Sequence, residues 1–159
     1  MFNCRPVFPR PIYCPLIVRS QNNIVNPVIT NQFGFFNNTN PGAIETESII
    51  PVTLVVGRGT NITQSTTTAG AVTLLPGTYE VSYMANGELS AGGTLSVELE
   101  LNGVDVPGSA LTDSGTAGDE VTVGQTMIIN VPATSTLELI NNSAETVTFT
   151  NASITINRL

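Results

Sequence analysis

The stretch GTLSVELELNGVDV, residues 93–106, decides the fold. Leu95, Val97, Leu99 and Leu101 fall on one side of an extended chain, and Ser96, Glu98, Glu100 and Asn102 fall on the other. Successive side chains of a strand point to opposite faces, so the pattern predicts one packed face and one wet face. Asn102-Gly103 reads as a hairpin turn, because a type I′ turn needs positive φ at both central residues and Asn-Gly tolerates that best.

Working outward, the same alternation places Tyr79, Val81 and Tyr83 inward, opposite Glu80 and Ser82. It recurs at Met127, Ile129 and Val131, at Leu137 and Leu139, and at Ile154 and Ile156. Eight strands are predicted, over 48–56, 61–65, 71–75, 77–88, 93–106, 120–131, 135–141 and 146–157, separated by Gly, Asn, Asp and Pro. Helical periodicity is missing. Short alternating strands in series imply an all-β, antiparallel two-sheet sandwich or jelly roll. A β-solenoid is the competing fold, and no fixed-period repeat supports it.

Composition divides the chain in two. At 159 residues there is room for one domain and a tail. Charged residues make up 11% of the chain, against roughly 25% in an average soluble protein, and Thr and Asn take their place. Arg5, Arg10 and Arg19 precede residue 45 with no acid among them, giving +3; two arginines and all 12 acids follow, giving −10 and the total of −7. Opposite signs favour docking of tail on body, within or between molecules, screened by salt over about 10 Å. A body this acidic disfavours nucleic acid, whose phosphates need clustered Lys and Arg. Prolines at 6, 9, 11 and 15 break the single candidate for a signal-peptide core. No run approaches the roughly 20 apolar residues of a membrane span. Synthesis in a cytoplasm and no membrane partner are the expectations.

The run Pro76-Gly77-Thr78-Tyr79-Glu80-Val81-Ser82, followed by Met84-Ala85-Asn86, resembles the Gly-x-Tyr-x-apolar strand of C1q/TNF-like domains. Leu101-Asn102-Gly103-Val104-Asp105-Val106-Pro107-Gly108-Ser109 resembles a hairpin in the C-terminal domain of the Bacillus collagen-like exosporium glycoprotein, and Ala152-Ser153-Ile154-Thr155-Ile156 resembles its closing strand. The resemblance covers about 48–159. It implies a C1q/TNF-like jelly roll assembled as a homotrimer, on the surface of a bacterial endospore. It also implies assembly in a mother-cell cytoplasm, a route that uses no signal peptide. Members of that group carry a Gly-x-y collagen stalk before the domain, whereas here glycine does not recur every third residue.

Residues 1–43 stand where the stalk would be, and 44–159 are the predicted jelly roll. The prolines forbid a helix in the tail and favour extended conformations. Its apolar side chains are too few for a core and too many for a solvated linker, so the tail reads as a connector arm. Phe2, Phe8, Ile12 and Tyr13 are the predicted docking contacts, with Arg5 and Arg10 seeking acidic partners. Cys4 and Cys14 are the two cysteines and would cross-link arms, or an arm and an anchor protein, in an oxidising compartment. Arms docking into the next trimer make a contact that does not close, hence a fibre. Bacterial endospore fibres resemble this plan in architecture. The alternative is a trimeric surface knob or adhesin that binds a ligand through its head.

Core or trimer packing is assigned to Tyr79, Val81, Tyr83, Leu95, Val97, Leu99, Leu101, Ile129, Leu139, Ile154 and Ile156. No enzyme is expected: without histidine, neither a Ser-His-Asp nor a Cys-His arrangement can be built. The paired Glu98 and Glu100 are read as solvated. Two cysteines without histidine make no zinc site, and Asp113, Asp119 and Glu120 lack the spacing of a known calcium loop. No cofactor and no metal are therefore assigned. The partners expected are further copies of the chain and a spore-coat or exosporium anchor.

Overall fold

Tyr79, Val81, Tyr83 and Ala85 from one sheet close on Leu95, Val97, Leu99, Leu137 and Leu139 from another, all at most 2% exposed, and this contact is the core. The computed structural model describes residues 31–159, and Phe2, Cys4, Arg5, Phe8, Arg10, Ile12, Tyr13 and Cys14 lie outside them. In chain order the strands are β1 (Phe33–Asn38), β2 (Gly42–Ile44), β3 (Ser48–Ile49), β4 (Thr53–Arg58), β5 (Ile62–Gln64) and β6 (Val72–Leu74). They continue as β7 (Gly77–Leu89), β8 (Gly93–Leu101), β9 (Leu111–Gly115), β10 (Asp119–Val131), β11 (Ser135–Asn141) and β12 (Val147–Arg158). The first sheet runs β10-β7-β12-β1-β4, with β2 also on β12; the second runs β5-β6-β11-β8-β9, with β3 also on β11. Every pairing is antiparallel. Among the described residues no helix is long and apolar enough to cross a membrane.

Ile129 and the pair Ile154 and Ile156 face the same interior, at 5% and 0% exposed. Leu101 is half-buried, because β8 ends there in the hairpin. Asn102 and Gly103 have φ of +56° and +72°, the left-handed values a type I′ turn requires. Leu101 and Val104 exchange both backbone hydrogen bonds across it, at 2.8 and 3.3 Å. The return leg is short: Asp105 bridges to Glu100, and Val106 donates to the Leu99 carbonyl.

The boundary after residue 43 is displaced. Phe33–Asn38 is hydrogen-bonded between β12 and β4, with Phe36 wholly buried, so this part of the predicted arm belongs to the sandwich. Gly34 and Phe36 face inward and Phe35 outward, an alternation whose first inward position is a glycine and so carries no apolar side chain. A Cβ on Gly34 would lie 2.7 Å from a ring carbon of Phe36 and 2.8 Å from Ile62 Cγ2, which is why only hydrogen fits. The predicted strand 48–56 is likewise two strands. Pro51 has no N–H to donate, and at Ile50-Pro51-Val52 the chain passes from β3 in the second sheet to β4 in the first.

Two buried serines complete β8 where its partner strands stop. Ser109 Oγ accepts from Leu99 N and donates to Leu99 O, while Ser143 Oγ does the same for Ser96. Each hydroxyl gives a β8 N–H the acceptor its partner strand does not supply, so neither donor is left stranded.

Candidate functional site

Register fixes which side chains share the outer face of the first sheet. Thr126, Ser82, Thr155, Phe35 and Val56 lie in one row across its five main strands. The neighbouring row is Ile128, Glu80, Asn157, Phe33 and Arg58. Thr126 donates to Ser82 Oγ at 3.0 Å, in keeping with that shared face. In the middle of the face Ser82, Thr155 and Asn157 are polar and Glu80 is charged, and apolar side chains are exposed at both margins. At one margin β4 is exposed along its whole length, with Leu54 37%, Val55 61% and Val56 51% exposed. At the other, Ile128 is 64% and Val104 67% exposed, beside a groove of about 340 Å³ that Leu101, Val106, Pro107 and Met127 help to line. β4 and β10 are also the two edges of the sheet, where backbone pairing is open on one side.

The outer face of the second sheet is different. Glu98 and Glu100 share that face with Glu138, the cross-strand partner of Glu100, and Asp105 stands opposite Glu100 in the hairpin. The wet face predicted for β8 is partly covered: Ser96 and Glu98 are each 7% exposed. The cover comes from the turn before β3 and from the segment after β11. Asn141, wholly buried, donates its side-chain amide to the carbonyls of Ile44, Glu45 and Glu145, and its own carbonyl accepts from Glu47 N. That anchorage brings Glu47 over β8. Carboxylate oxygens of Glu47, Glu98 and Glu100 then lie within 4.8 Å of one another. Burial first, then the charges of Asp105, Glu47 and Glu100, push the Glu98 carboxyl above the usual range, against one favourable amide from Asn142. Burial followed by Asp105 and Glu47 raises Glu100, and burial followed by Glu100 raises Glu138.

The remaining candidates have structural places. The Tyr79 hydroxyl donates to Leu75 O at 2.6 Å, and the Tyr83 hydroxyl donates to Ser109 O while accepting from Gln125 Nε2. Burial raises both phenols. The acids of the glycine-rich loop do not converge. Asp119 accepts from the backbone and hydroxyl of Thr116, which lowers its pKa, whereas Glu120 accepts from Asn86 and Thr150 and Asp113 from Ser114 N. Sequence reasoning missed Glu47, because its approach to Glu98 is set by the Asn141 anchorage and by no local pattern.

The globular domain of the zebrafish complement 1qA protein superimposes with a TM-score of 0.61 over 80% of this chain and 96% of that chain, at 10% identity. The fold is the C1q/TNF jelly roll. The Eiger TNF of S. frugiperda shares this jelly roll with a TM-score of 0.61, 16% identity and coverage of 82% and 93%. The PRD1 vertex protein P5 shares it with a TM-score of 0.53, 15% identity and coverage of 82% and 98%. Neither a family model nor a curated protein matches the sequence.

Proposed function

We propose that the chain is the structural subunit of a bacterial spore-surface fibre or exosporium layer, a homotrimer joined to its neighbours through the N-terminal arm. The observation that carries the trimer is the pair of apolar margins on the first sheet, Leu54, Val55 and Val56 on one edge and Val104, Met127 and Ile128 near the other. Two different margins meeting in rotation make a heterologous contact that closes as a ring. The jelly roll, a fold the C1q/TNF resemblance links to trimers, agrees with that arrangement. The arm lies outside the described residues, and its support is the sequence: Phe2, Phe8, Ile12 and Tyr13 for contact, Arg5 and Arg10 for charge, Cys4 and Cys14 for cross-links. Because β1 begins at Phe33, the connector is shorter than 43 residues and ends near Asn31.

The test is electron microscopy of the full chain beside one starting at Asn31, which keeps every described strand, both without reductant. Fibres from the first and discrete trimers from the second are expected, with matching melting temperatures as the control for folding. Discrete trimers from both would refute self-assembly through the arm and leave attachment to an anchor protein. The fold shared with a vertex protein favours a second reading, a trimeric knob at an extremity; it predicts discrete trimers and saturable binding to a surface ligand.

A further inference from the structure

We infer that Asn102 is the site of a spontaneous conversion to aspartate and isoaspartate, gated by the two hydrogen bonds that hold its side chain to β11. Asn-Gly is the dipeptide in which this reaction meets least hindrance, because glycine has no side chain to screen the attacking nitrogen or restrict its backbone. The chain contains it twice, at Asn86-Gly87 and Asn102-Gly103, in opposite surroundings. Gly87 is buried in β7 between β10 and β12, where a Cβ would lie 2.7 Å from Val147 Cγ1 and 2.9 Å from Leu95 Cδ1. Its backbone is free to turn only when the sandwich opens. Gly103 is exposed at the hairpin tip, with nothing within 4 Å of the position a Cβ would take. Its N–H stands outside the pair of bonds that Leu101 and Val104 exchange.

In the reaction Gly103 N gives up its proton and attacks Asn102 Cγ, the Cγ–Nδ2 bond breaks, and Nδ2 leaves as ammonia. The cyclic imide then adds solvent water at one of its two carbonyls, which opens it to aspartate or to isoaspartate. The closed hairpin opposes the first step. Asn102 Nδ2 donates to Ser135 Oγ at 3.0 Å, and Oδ1 accepts from Thr136 N at 2.8 Å. Both ends of the amide are thereby fixed on β11, and Cγ is released to Gly103 N when these bonds open. That opening is local, at an exposed turn, and so costs far less than unfolding. It also lies on the β11 side of β8, opposite the return leg of the hairpin, so it does not depend on how subunits assemble. Conversion undoes the tie that restrained it. Ser135 Oγ already donates to Ala133 O at 2.9 Å, so a carboxylate oxygen in place of Nδ2 faces a second acceptor. Isoaspartate lengthens the main chain within a two-residue turn, whose geometry sets the strand register.

The test incubates the full chain in mildly alkaline buffer, folded and in urea, and maps timed samples by mass spectrometry after cleavage at glutamate. Cleavage after Glu80, Glu88, Glu100 and Glu120 puts Asn86 in fragment 81–88 and Asn102 in fragment 101–120. In urea both fragments should gain the mass of the amide-to-acid change. In the folded chain 101–120 alone should gain it, about tenfold or more slowly than in urea, since two hydrogen bonds must first open. Ser135→Ala frees Nδ2 and should speed the folded reaction about fivefold, the equivalent of one hydrogen bond of about 1 kcal/mol. Fragment 81–88 reports on folding in the same samples. Acceleration confined to 101–120 is expected, and acceleration of both fragments together would overturn the local gate. A fragment 101–120 left unchanged in the folded chain once the unfolded chain has converted, or equal rates folded and in urea, would overturn the site.

Discussion

Val56→Asp separates assembly from folding more sharply than any other single change. Val56 lies on the outer face of β4, an edge strand, and is 51% exposed. In the isolated subunit the change is a surface substitution, worth within about 0.5 kcal/mol on general grounds and up to about 1 kcal/mol from lost strand propensity. In a trimer sealed through this margin the same atom positions are dry. Fully burying a valine contributes about 1.5–3 kcal/mol, so the half still exposed accounts for roughly 1 kcal/mol. A carboxylate placed there without a partner adds at least about 2 kcal/mol. Rotational symmetry repeats the contact three times, so the trimer loses about 9 kcal/mol, a factor on the order of a million in its association constant. Sedimentation velocity across a concentration series reads this directly. The unmodified chain should sediment as a trimer and Val56→Asp as a monomer, with circular dichroism showing the same sheet content. A variant that stays trimeric at the same concentrations would refute the placement of β4 in the interface.

Three other outcomes are expected. The raised carboxyls of Glu98, Glu100 and Glu138 bind protons more tightly folded than unfolded, so their contribution to stability falls as pH rises above the ordinary glutamate range of about 4 to 5. Urea midpoints from pH 4.5 to 7.5 should fall less steeply in Glu98→Gln, and identical slopes would refute the coupling. Asn102→Ala keeps a Cβ in left-handed backbone, which alanine tolerates less well than asparagine, and removes side-chain bonds to Ser135 Oγ and Thr136 N, a loss of about 2 kcal/mol. Asn102→Gly should recover part of it in thermal melts, and equal losses would show that backbone strain contributes nothing. Gly34→Ala drives a methyl into Phe36 and Ile62, at a cost of about 1–3 kcal/mol; an unchanged melting temperature would contradict the inward orientation of β1.

What the sequence made legible was whatever depends on alternation. Strands β7, β8, β10, β11 and β12 are long enough for period two to show, and the inward sets at Tyr79–Tyr83 and Leu95–Leu99 follow from it. Short elements stayed hidden. Strand β9 carries a single large apolar residue, Leu111, and β1 hides an inward glycine, so neither presents an apolar row. The covered acids were hidden for another reason. From local pattern Glu98 belongs to a wet face, and it is buried because a turn 51 residues earlier is tied over it by Asn141. Burial of that kind is set by tertiary closure, which a linear pattern does not encode.

The two outer faces therefore carry different physical roles. In the proposed trimer every interfacial charge would be repeated around the axis, which favours a nearly neutral face, and the row through Ser82 and Thr155 is uncharged. The second sheet has no such constraint and holds Glu98, Glu100 and Glu138, with Glu47 and Asp105 at the margin. Like charges so concentrated lower the stability of the isolated fold as they ionise, the direction their raised carboxyls imply. Arg5 and Arg10 of the proposed connector carry the charge that would offset them between subunits. Such an attraction has a measurable signature, because long-range pairing of connector and body would fade with added salt once the screening length falls below about 10 Å.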